Sequence, residues 1–358
     1  MHPLIRPLRA ATTLGATGPL LMVLGFTAAC GPDAPLPVSP RVAPVNATLE
    51  SARATVLPSL GGPFSVANDI NDAGQVVGWS LDRTATRRAF VWSAQDGMQD
   101  LGTLGGTTSE ANAVNARGQV VGLSETAERR THAFVWTPGR GMHDLGAVGT
   151  AGTVAADINN RGDVVGFSFE QVGSTVIYRA LMWDPDGNVS DLGTLGGTTT
   201  AATSINNAGH VVGSGVTADG KEHVFLWTRQ SGMADLGGPN DAATTATAIN
   251  ERGDIVGIAI VQPDAHPFLW TRQDGLTTLS ALGGPSVGLV HAINDAGDVV
   301  GSISAMPGGR HAFVWSRERG LTDLYAAAGM RDARAINNRG QVVGGNIVVT
   351  IPTPAGKK

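Results

Sequence analysis

Histidines are the side chains most often used as metal ligands or general bases at neutral pH. Four of the eight in this chain stand at one repeated position, two residues before a Phe: His132, His223, His266 and His311. Two other copies of the same segment carry Arg88 and Arg179 there, and arginine is not a metal ligand. The pattern predicts a polar strand end rather than a metal centre, and we expect neither a metal nor a cofactor.

Oxygen-bearing side chains alternate in several turns in the manner of a calcium loop. In one such turn, Asp157, Asn159 and Asp163 occupy the first, third and seventh positions, and Gly162 occupies the sixth. Its fifth position is Arg161, which has no oxygen ligand, and no glutamate follows at the distal position. The spacing therefore favours an ordinary turn over a calcium site.

A catalytic site needs several different groups that converge once, so in a repetitive chain it should lie where the copies differ. The candidate binding residues chosen on this basis are Trp79, Glu110, Glu170, Tyr178 and Tyr325. Trp79 is the one tryptophan outside the repeated pattern and is expected to be an exposed aromatic. None of these residues pairs with a histidine or a second carboxylate at a recognisable spacing. No catalytic residue is assigned, and the sequence leans away from an enzyme.

The repeat itself has the pattern [Ile/Val]-Asn-x-x-Gly-x-[Val/Ile]-Val-Gly and occurs seven times. Its asparagines are separated by 43 to 47 residues: Asn71, Asn115, Asn159, Asn206, Asn250, Asn294 and Asn337. Six copies continue into an apolar run that ends in tryptophan: Trp92, Trp136, Trp183, Trp227, Trp270 and Trp315. A Trp at the end of each apolar strand is expected to pack in the core rather than stack on carbohydrate.

Each copy reads as four short strands. In the second copy, the segment before Asn115 is the first strand, and Asn115 to Gly118 is a type I turn with Asn first and Gly last. The Val-Val-Gly, Phe-Val-Trp and Met-His-Asp-Leu segments supply the other three strands. Four strands every ~44 residues are typical of a β-propeller blade, so the sequence predicts an all-β, seven-bladed β-propeller.

The two ends of the chain predict how the ring closes. Residues 55–62 resemble a fourth strand without its blade, whereas the seventh copy ends at Ile347 to Ile351 and lacks a fourth strand. Pairing the N-terminal strand with the C-terminal copy would remove the exposed edges. The propeller domain is expected to span residues 54–353, followed by a disordered tail at 354–358.

Residues 1–29 predict a secretory signal peptide. They carry Arg6 and Arg9, then an apolar stretch, then small residues, and the stretch is too short and too interrupted for a stable membrane span. The sole cysteine, Cys30, follows at once and begins a Pro-rich tether at residues 30–53. The segment resembles a bacterial lipobox, which implies lipidation of Cys30 and an outer-membrane or cell-surface lipoprotein. Ordinary cleavage would instead leave a free periplasmic or extracellular protein.

Three motifs carry a family resemblance: His-Ala-Phe-[Val/Leu]-Trp, Asp-Leu-Gly-Thr-Leu-Gly-Gly and Ile-Asn-x-x-Gly-x-Val-Val-Gly. Over about residues 55 to 350 they resemble the bacterial HAF repeat, a family of extracellular repeats. The resemblance implies an exported repeat protein and carries no catalytic residues. Copies such as Arg179-Ala180-Leu181-Met182-Trp183 depart from the family pattern.

These observations favour a non-enzymatic scaffold at the cell envelope that binds an envelope protein or a glycan. The net charge of −5 without a basic stripe argues against nucleic acid. One alternative is a propeller enzyme that acts on extracellular polysaccharide or peptide. A second is a purely structural envelope component.

Overall fold

The computed structural model describes residues 53–238, 242–261, 264–282, 288–306 and 309–351, all within one compact unit. The signal peptide at 1–29, Cys30, the tether up to residue 52 and the tail at 354–358 lie outside the described residues. The described chain forms seven four-stranded antiparallel sheets. The predicted seven-bladed β-propeller is confirmed.

The strands follow the repeat closely, with four to each ~44-residue copy. The first strand, β1, is Arg53–Val56. Blades 1 to 3 comprise β2 Gly61–Ile70, β3 Val76–Asp82, β4 Arg87–Ser93, β5 Gly97–Asp100; β6 Gly105–Val114, β7 Val120–Thr126, β8 Thr131–Thr137, β9 Gly141–Asp144; and β10 Gly152–Ile158, β11 Val164–Val172, β12 Thr175–Trp183, β13 Val189–Asp191.

The remaining blades complete the circle. They comprise β14 Gly196–Ile205, β15 Val211–Thr217, β16 Glu222–Thr228, β17 Gly232–Gly237; β18 Ala243–Ile249, β19 Ile255–Val261, β20 Asp264–Thr271, β21 Gly275–Thr278; β22 Leu289–Ile293, β23 Val299–Met306, β24 Gly309–Ser316, β25 Gly320–Asp323; and β26 Ala335–Ile336, β27 Gln341–Gly344, β28 Ile347–Thr350. A five-residue helix, α1 (Leu324–Ala328), and a 3-10 turn at Leu279–Leu282 are the helical segments of the described chain. Within this part of the chain no helix is long and apolar enough to cross a membrane.

The closing strand pairs as predicted. Thr55 of β1 lies opposite Val348 of β28, and Val56 lies opposite Ile347. The Leu57 amide extends this contact by donating to the Asn346 carbonyl at 2.7 Å. Blade 7 is therefore built from both ends of the chain, and its strands are short, with two residues in β26 and four in β28.

The strand order within each blade defines two faces of the ring. First strands lie innermost, since residues that follow them in all seven blades line one axial cavity. The face that carries the seven Asn turns is called the Asn face here. The opposite face, where second strands turn into third strands, is called the hairpin face. The axial space between the two faces is called the channel.

The hydrophobic core is divided among the seven contacts between neighbouring blades. One cluster joins Val77 and Ala89 of blade 1 to Phe134 and Trp136 of blade 2. All six repeat tryptophans belong to such clusters or pack against them. The expectation that they serve the core is confirmed, and burial of this kind supplies most of the stabilisation.

The repeated Val-Val-Gly has a steric origin. The first strand bulges between Ala111 and Ala113, which brings its backbone close to Gly122 of the second strand. A Cβ at Gly122 would lie 2.0 Å from the Glu110 carbonyl oxygen. Only glycine allows this approach, so the sequence needs Gly at this position of the copy.

Candidate functional site

The seven repeat asparagines form a closed ring of hydrogen bonds around the channel. Asn115 shows the arrangement, with its Oδ1 accepting from the amides of Arg117 and Gln119, both at 3.0 Å. Its Nδ2 donates to the Asn159 carbonyl in the next blade at 3.0 Å. Equivalent bonds of 2.9 to 3.4 Å continue through every blade, and Asn337 closes the ring on the Asn71 carbonyl.

The residue after each of these asparagines lies at the mouth of the channel on the Asn face. Six of the seven accept a hydrogen bond from the preceding blade's amide; the seventh is Ala116, whose side chain has no acceptor. The mouth opens into an axial cavity of about 210 Å³. Burial raises the pKa of Glu251 at this mouth, and the neighbouring Asp295 adds to the effect.

Two aspartates near the ends of first strands, Asp69 and Asp157, join neighbouring blades next to this ring. Asp69 accepts from the Ile70 and Val114 amides, both at 2.8 Å, and Asp157 accepts from Ser204 and two backbone amides. Burial raises the pKa of Asp69 to about 7, and repulsion by Asp157 contributes. Oδ2 of Asp157, the first residue of the calcium-like turn, therefore accepts hydrogen bonds from the next blade.

Three of the four repeat histidines hold third strands to fourth strands. The Nδ1 of His132 lies 2.9 Å from Asp144, and His223 and His311 make the same contact with Asp235 and Asp323. In blade 1 Arg88 forms the equivalent pair with Asp100 at 3.2 Å. This shared pairing explains why arginine substitutes for histidine at the position. Among the described residues, no group of three potential ligands is placed to hold a metal ion.

At the hairpin-face end of the channel, blades 1 and 2 meet in a buried ion pair. Glu110, on β6, is 2% exposed, and its Oε2 lies 2.9 Å from the Arg87 guanidinium. Its Oε1 accepts from Asn68 at 3.2 Å. Burial raises the pKa of Glu110, while Arg87 and Asn68 act in the opposite direction.

The same network continues into blades 7 and 6. Arg334 donates to the Asn68 side-chain oxygen at 2.6 Å and lies 3.4 Å from Asp332. Asp332 also lies 3.3 Å from His291 Nε2, in an electrostatic contact rather than a well-aligned hydrogen bond. Burial opposes ionisation of Asp332, but its neighbours His291, Arg310 and Arg334 together outweigh burial and hold its pKa well below the usual range.

We call this chain of six side chains the charged sector: Arg87, Glu110, Asn68, Arg334, Asp332 and His291. The other half of the wall is far less polar. At the position of Glu110, blades 3, 4 and 5 carry Val154, Ala201 and Thr245. Glu222 is the one carboxylate at the Arg87 position; it hydrogen-bonds Thr245, and burial raises its pKa.

The structure brings two of the predicted residues together and corrects one expectation. Trp79 is 8% exposed, so the expectation of an exposed aromatic is wrong. Its ring packs edge-on against Phe64, and the Arg87 guanidinium lies 4.2 Å from its centroid. Trp79 is buried between these two side chains, and its ring supports the arginine that pairs with Glu110.

The other candidates lie outside the charged sector. Tyr178 occupies the repeat position of Arg87 in blade 3 and packs edge-on against Phe167. Glu170, on the same hairpin, is exposed and accepts from Thr150 at 2.7 Å. Tyr325 stacks on His311 in blade 6, with ring centroids 4.2 Å apart. Cys30 lies outside the described residues.

Sequence reasoning found Glu110 but missed its network. The missing members are Arg87, Asn68, Arg334, Asp332 and His291. The available signal was the position three residues before the repeat asparagine, which holds a charged or ionisable side chain only in blades 6 and 7, as His291 and Arg334. Reading that column across the copies would have placed both in the channel.

Comparisons with known proteins identify the fold and no family. No family model and no curated protein matches the sequence. A puromycin-hydrolysing peptidase of Mycobacterium tuberculosis matches at TM-score 0.54 and 11% identity, over 81% of this chain and 52% of that one. An oligogalacturonate lyase of Vibrio parahaemolyticus matches at 0.53 and 9%, over 86% and 98% of the two chains.

A third similar structure is YCF48 bound to D1 peptide, at TM-score 0.52 and 11% identity, over 84% of this chain and 97% of that one. This chain spans about half the length of the peptidase it matches. At these identities the similarity shows the propeller fold alone.

Proposed function

We propose that this protein is a binding propeller that holds a polar ligand at the charged sector without transforming it. The supporting observation is that four neighbouring blades depart from the repeat at one place, where their side chains join in one charged network. The ligand is a glycan or a segment of an envelope protein. Either supplies the hydroxyl or amide groups that alternating donors and acceptors recognise.

The pairing of charges favours recognition over chemistry. Glu110 is held by Arg87 and Asn68, and Asp332 is held by Arg334 and His291. Carboxylates paired in this way hold the neighbouring arginine side chains in fixed orientations, which suits those arginines to donate hydrogen bonds to a ligand. The arginines remain accessible, with Arg87 and Arg334 each 24% exposed.

A binding screen with matched variants tests this proposal. Purified protein is screened against a glycan array and against envelope extract, and the best ligand is titrated. Glu110→Gln should weaken binding by about tenfold or more, because the partly exposed Arg87 guanidinium loses the buried carboxylate that orients it. The control is Glu222→Gln, which changes a half-buried carboxylate in the opposite half of the channel. Equal affinity of the Glu110→Gln variant and the parent would overturn the proposal.

An enzymatic role is the alternative, because the network shifts the pKa values of two carboxyl groups in opposite directions. The pKa of Glu110 is raised and that of Asp332 is lowered, the division of roles expected of a general acid and a base. The same variants separate the two functions. An enzyme with the Glu110→Gln change would still bind polysaccharide or peptide but would lose turnover, whereas a binding site would lose affinity.

Attachment to the envelope is also part of the proposal. We propose that export is followed by lipidation of Cys30, which would make this an outer-membrane or cell-surface lipoprotein. In cells fed labelled palmitate, the parent should become labelled and the Cys30→Ala variant should not. An unlabelled parent, recovered free in the periplasm or medium, would instead favour ordinary signal cleavage.

A further inference from the structure

A groove of about 770 Å³ lies on the Asn face, away from the charged sector. It is formed by turns of blades 3, 4 and 5, and its walls carry the guanidinium groups of Arg161, Arg229 and Arg272. The space exists because the blade 4 turn has Ala208 where the turns on either side have Arg161 and Arg252.

A buried aspartate holds two of these arginines in place. Asp163 is 3% exposed, and its Oδ2 accepts from Arg161 and Asn159, both at 2.9 Å. Its Oδ1 accepts from Arg229 of blade 4 at 3.3 Å. Since Asp163 fixes one edge of each guanidinium, the remaining N–H groups are oriented without a further entropic cost on binding.

The groove keeps an excess of positive charge. Its lining carries Arg161, Arg229 and Arg272 against Asp163 and Asp184, so the net charge is 3 − 2 = +1. Asp184 is already bonded to Asn188 and the Asp186 amide. Arg272 has no carboxylate within 4 Å in the described part of the chain, while Arg161 and Arg229 have half or more of their side chains exposed.

Blade 5 supplies an internal comparison. Arg252 and Asp254 repeat the pair formed by Arg161 and Asp163, at 2.8 Å. The counterpart of Arg229 is Arg317, which instead lies 3.4 Å from Asp274. The second arginine is thus drawn away from Asp254, so of these two copies the one in blade 3 joins two guanidinium groups on one carboxylate.

We propose that this groove binds a ligand with several oxyanion groups. Arginines match such groups with paired N–H donors, and the volume exceeds what one small ion needs. Phosphate, sulfate and carboxylate groups are all oxyanions that arginines can bind. A titration with one probe of each kind decides which of them the groove prefers. Because the groove lies on the opposite face, its ligand is distinct from the one proposed for the charged sector.

Calorimetric titration with three probes tests the groove: tripolyphosphate, sucrose octasulfate and a trigalacturonate. At least one should bind, and raising the salt concentration should weaken it. Arg229→Ala and, separately, Arg272→Ala should each reduce affinity by about tenfold. Arg272→Ala does not touch Asp163, so it remains informative even if the first variant is poorly folded. Arg252→Ala is the matched control and should leave affinity within about twofold.

The outcomes decide between a site and general surface charge. Strong losses at Arg229 and Arg272 with no loss at Arg252 support the groove, and the tightest probe names the oxyanion. An equal loss in all three variants would mean diffuse attraction and would overturn the proposal. Failure of every probe to bind at low salt would overturn it as well.

Discussion

The two ends of the channel are built from the same seven strands but follow opposite rules. At the Asn face, all seven copies supply an asparagine that makes the same bond to the next blade. At the hairpin face, equivalent positions hold Glu110, Val154 or Thr245. The ring of asparagines depends on the same residue in every copy, whereas the charged sector depends on positions where the copies carry different residues.

This contrast indicates which positions maintain the ring and which are free to recognise a ligand. A buried amide that satisfies two backbone N–H groups and a carbonyl of the next blade has no substitute among the other side chains. The inner wall near the hairpin face does not carry that constraint, since valine, alanine and threonine serve there equally. The copies can therefore differ at these positions without disrupting the contacts between blades.

The sharpest test of the contrast is to remove one member of the Asn ring. Asn115→Ala leaves the amides of Arg117 and Gln119 without their acceptor and cuts the bond to blade 3. We expect the free energy of unfolding to fall by about 2–4 kcal/mol, the cost of leaving buried backbone groups unsatisfied. Urea unfolding followed by tryptophan fluorescence measures the change.

Asn160→Ala is the matched control for that experiment. Asn160 follows the ring residue and accepts from the Ala116 amide at 2.8 Å, but it is exposed. Blade 2 already has Ala116 at the equivalent position, so we expect a loss below about 1 kcal/mol. Equal losses in the two variants would show that the ring contributes no more than its exposed rim.

Much of the fold was predictable because the same pattern of strands and turns recurs seven times in the sequence. The four strands, the turn at Asn115 and the closing pair of Thr55 with Val348 all follow from aligning the copies. The ring of side-chain bonds was missed, since a type I turn explains the Asn and Gly alone. Its signal was that Asn recurs in every copy although Asp or Ser would also suit such a turn.

The candidate site was harder to predict because its contacts join distant parts of the chain. Arg334 and Asn68 are 266 residues apart, and only ring closure brings them together. Glu110 could be selected as a departure from the repeat, but its partner Arg87 precedes a repeat position and looked ordinary. Trp79 was misjudged for a related reason, as its burial depends on Phe64 and Arg87 rather than on its own segment.

The smallest expected effect concerns pH and the two aspartates next to the ring of asparagines. The pKa of Asp69 is raised to about 7, and Asp157 contributes by repulsion. Between about pH 4 and pH 7 the folded protein keeps a proton that the unfolded chain has released, so stability should fall as pH rises through this window and level off above it. Screening by solvent reduces the effect, which we expect to total about 1–2 kcal/mol.

Unfolding midpoints at pH 4.5, 6 and 8 (set at about these values to bracket the window) measure this decline. Asp69→Asn should reduce the decline, because one titrating group is gone. Asp157→Asn should reduce it too, because burial also raises the pKa of Asp157 and its charge raises the pKa of Asp69. Asp332, whose pKa is lowered, contributes with the opposite sign and only in more acidic solution. If the slope is the same in all three proteins, Asp69 is ionised throughout. Solvent would then reach Asp69 in the folded protein despite its burial.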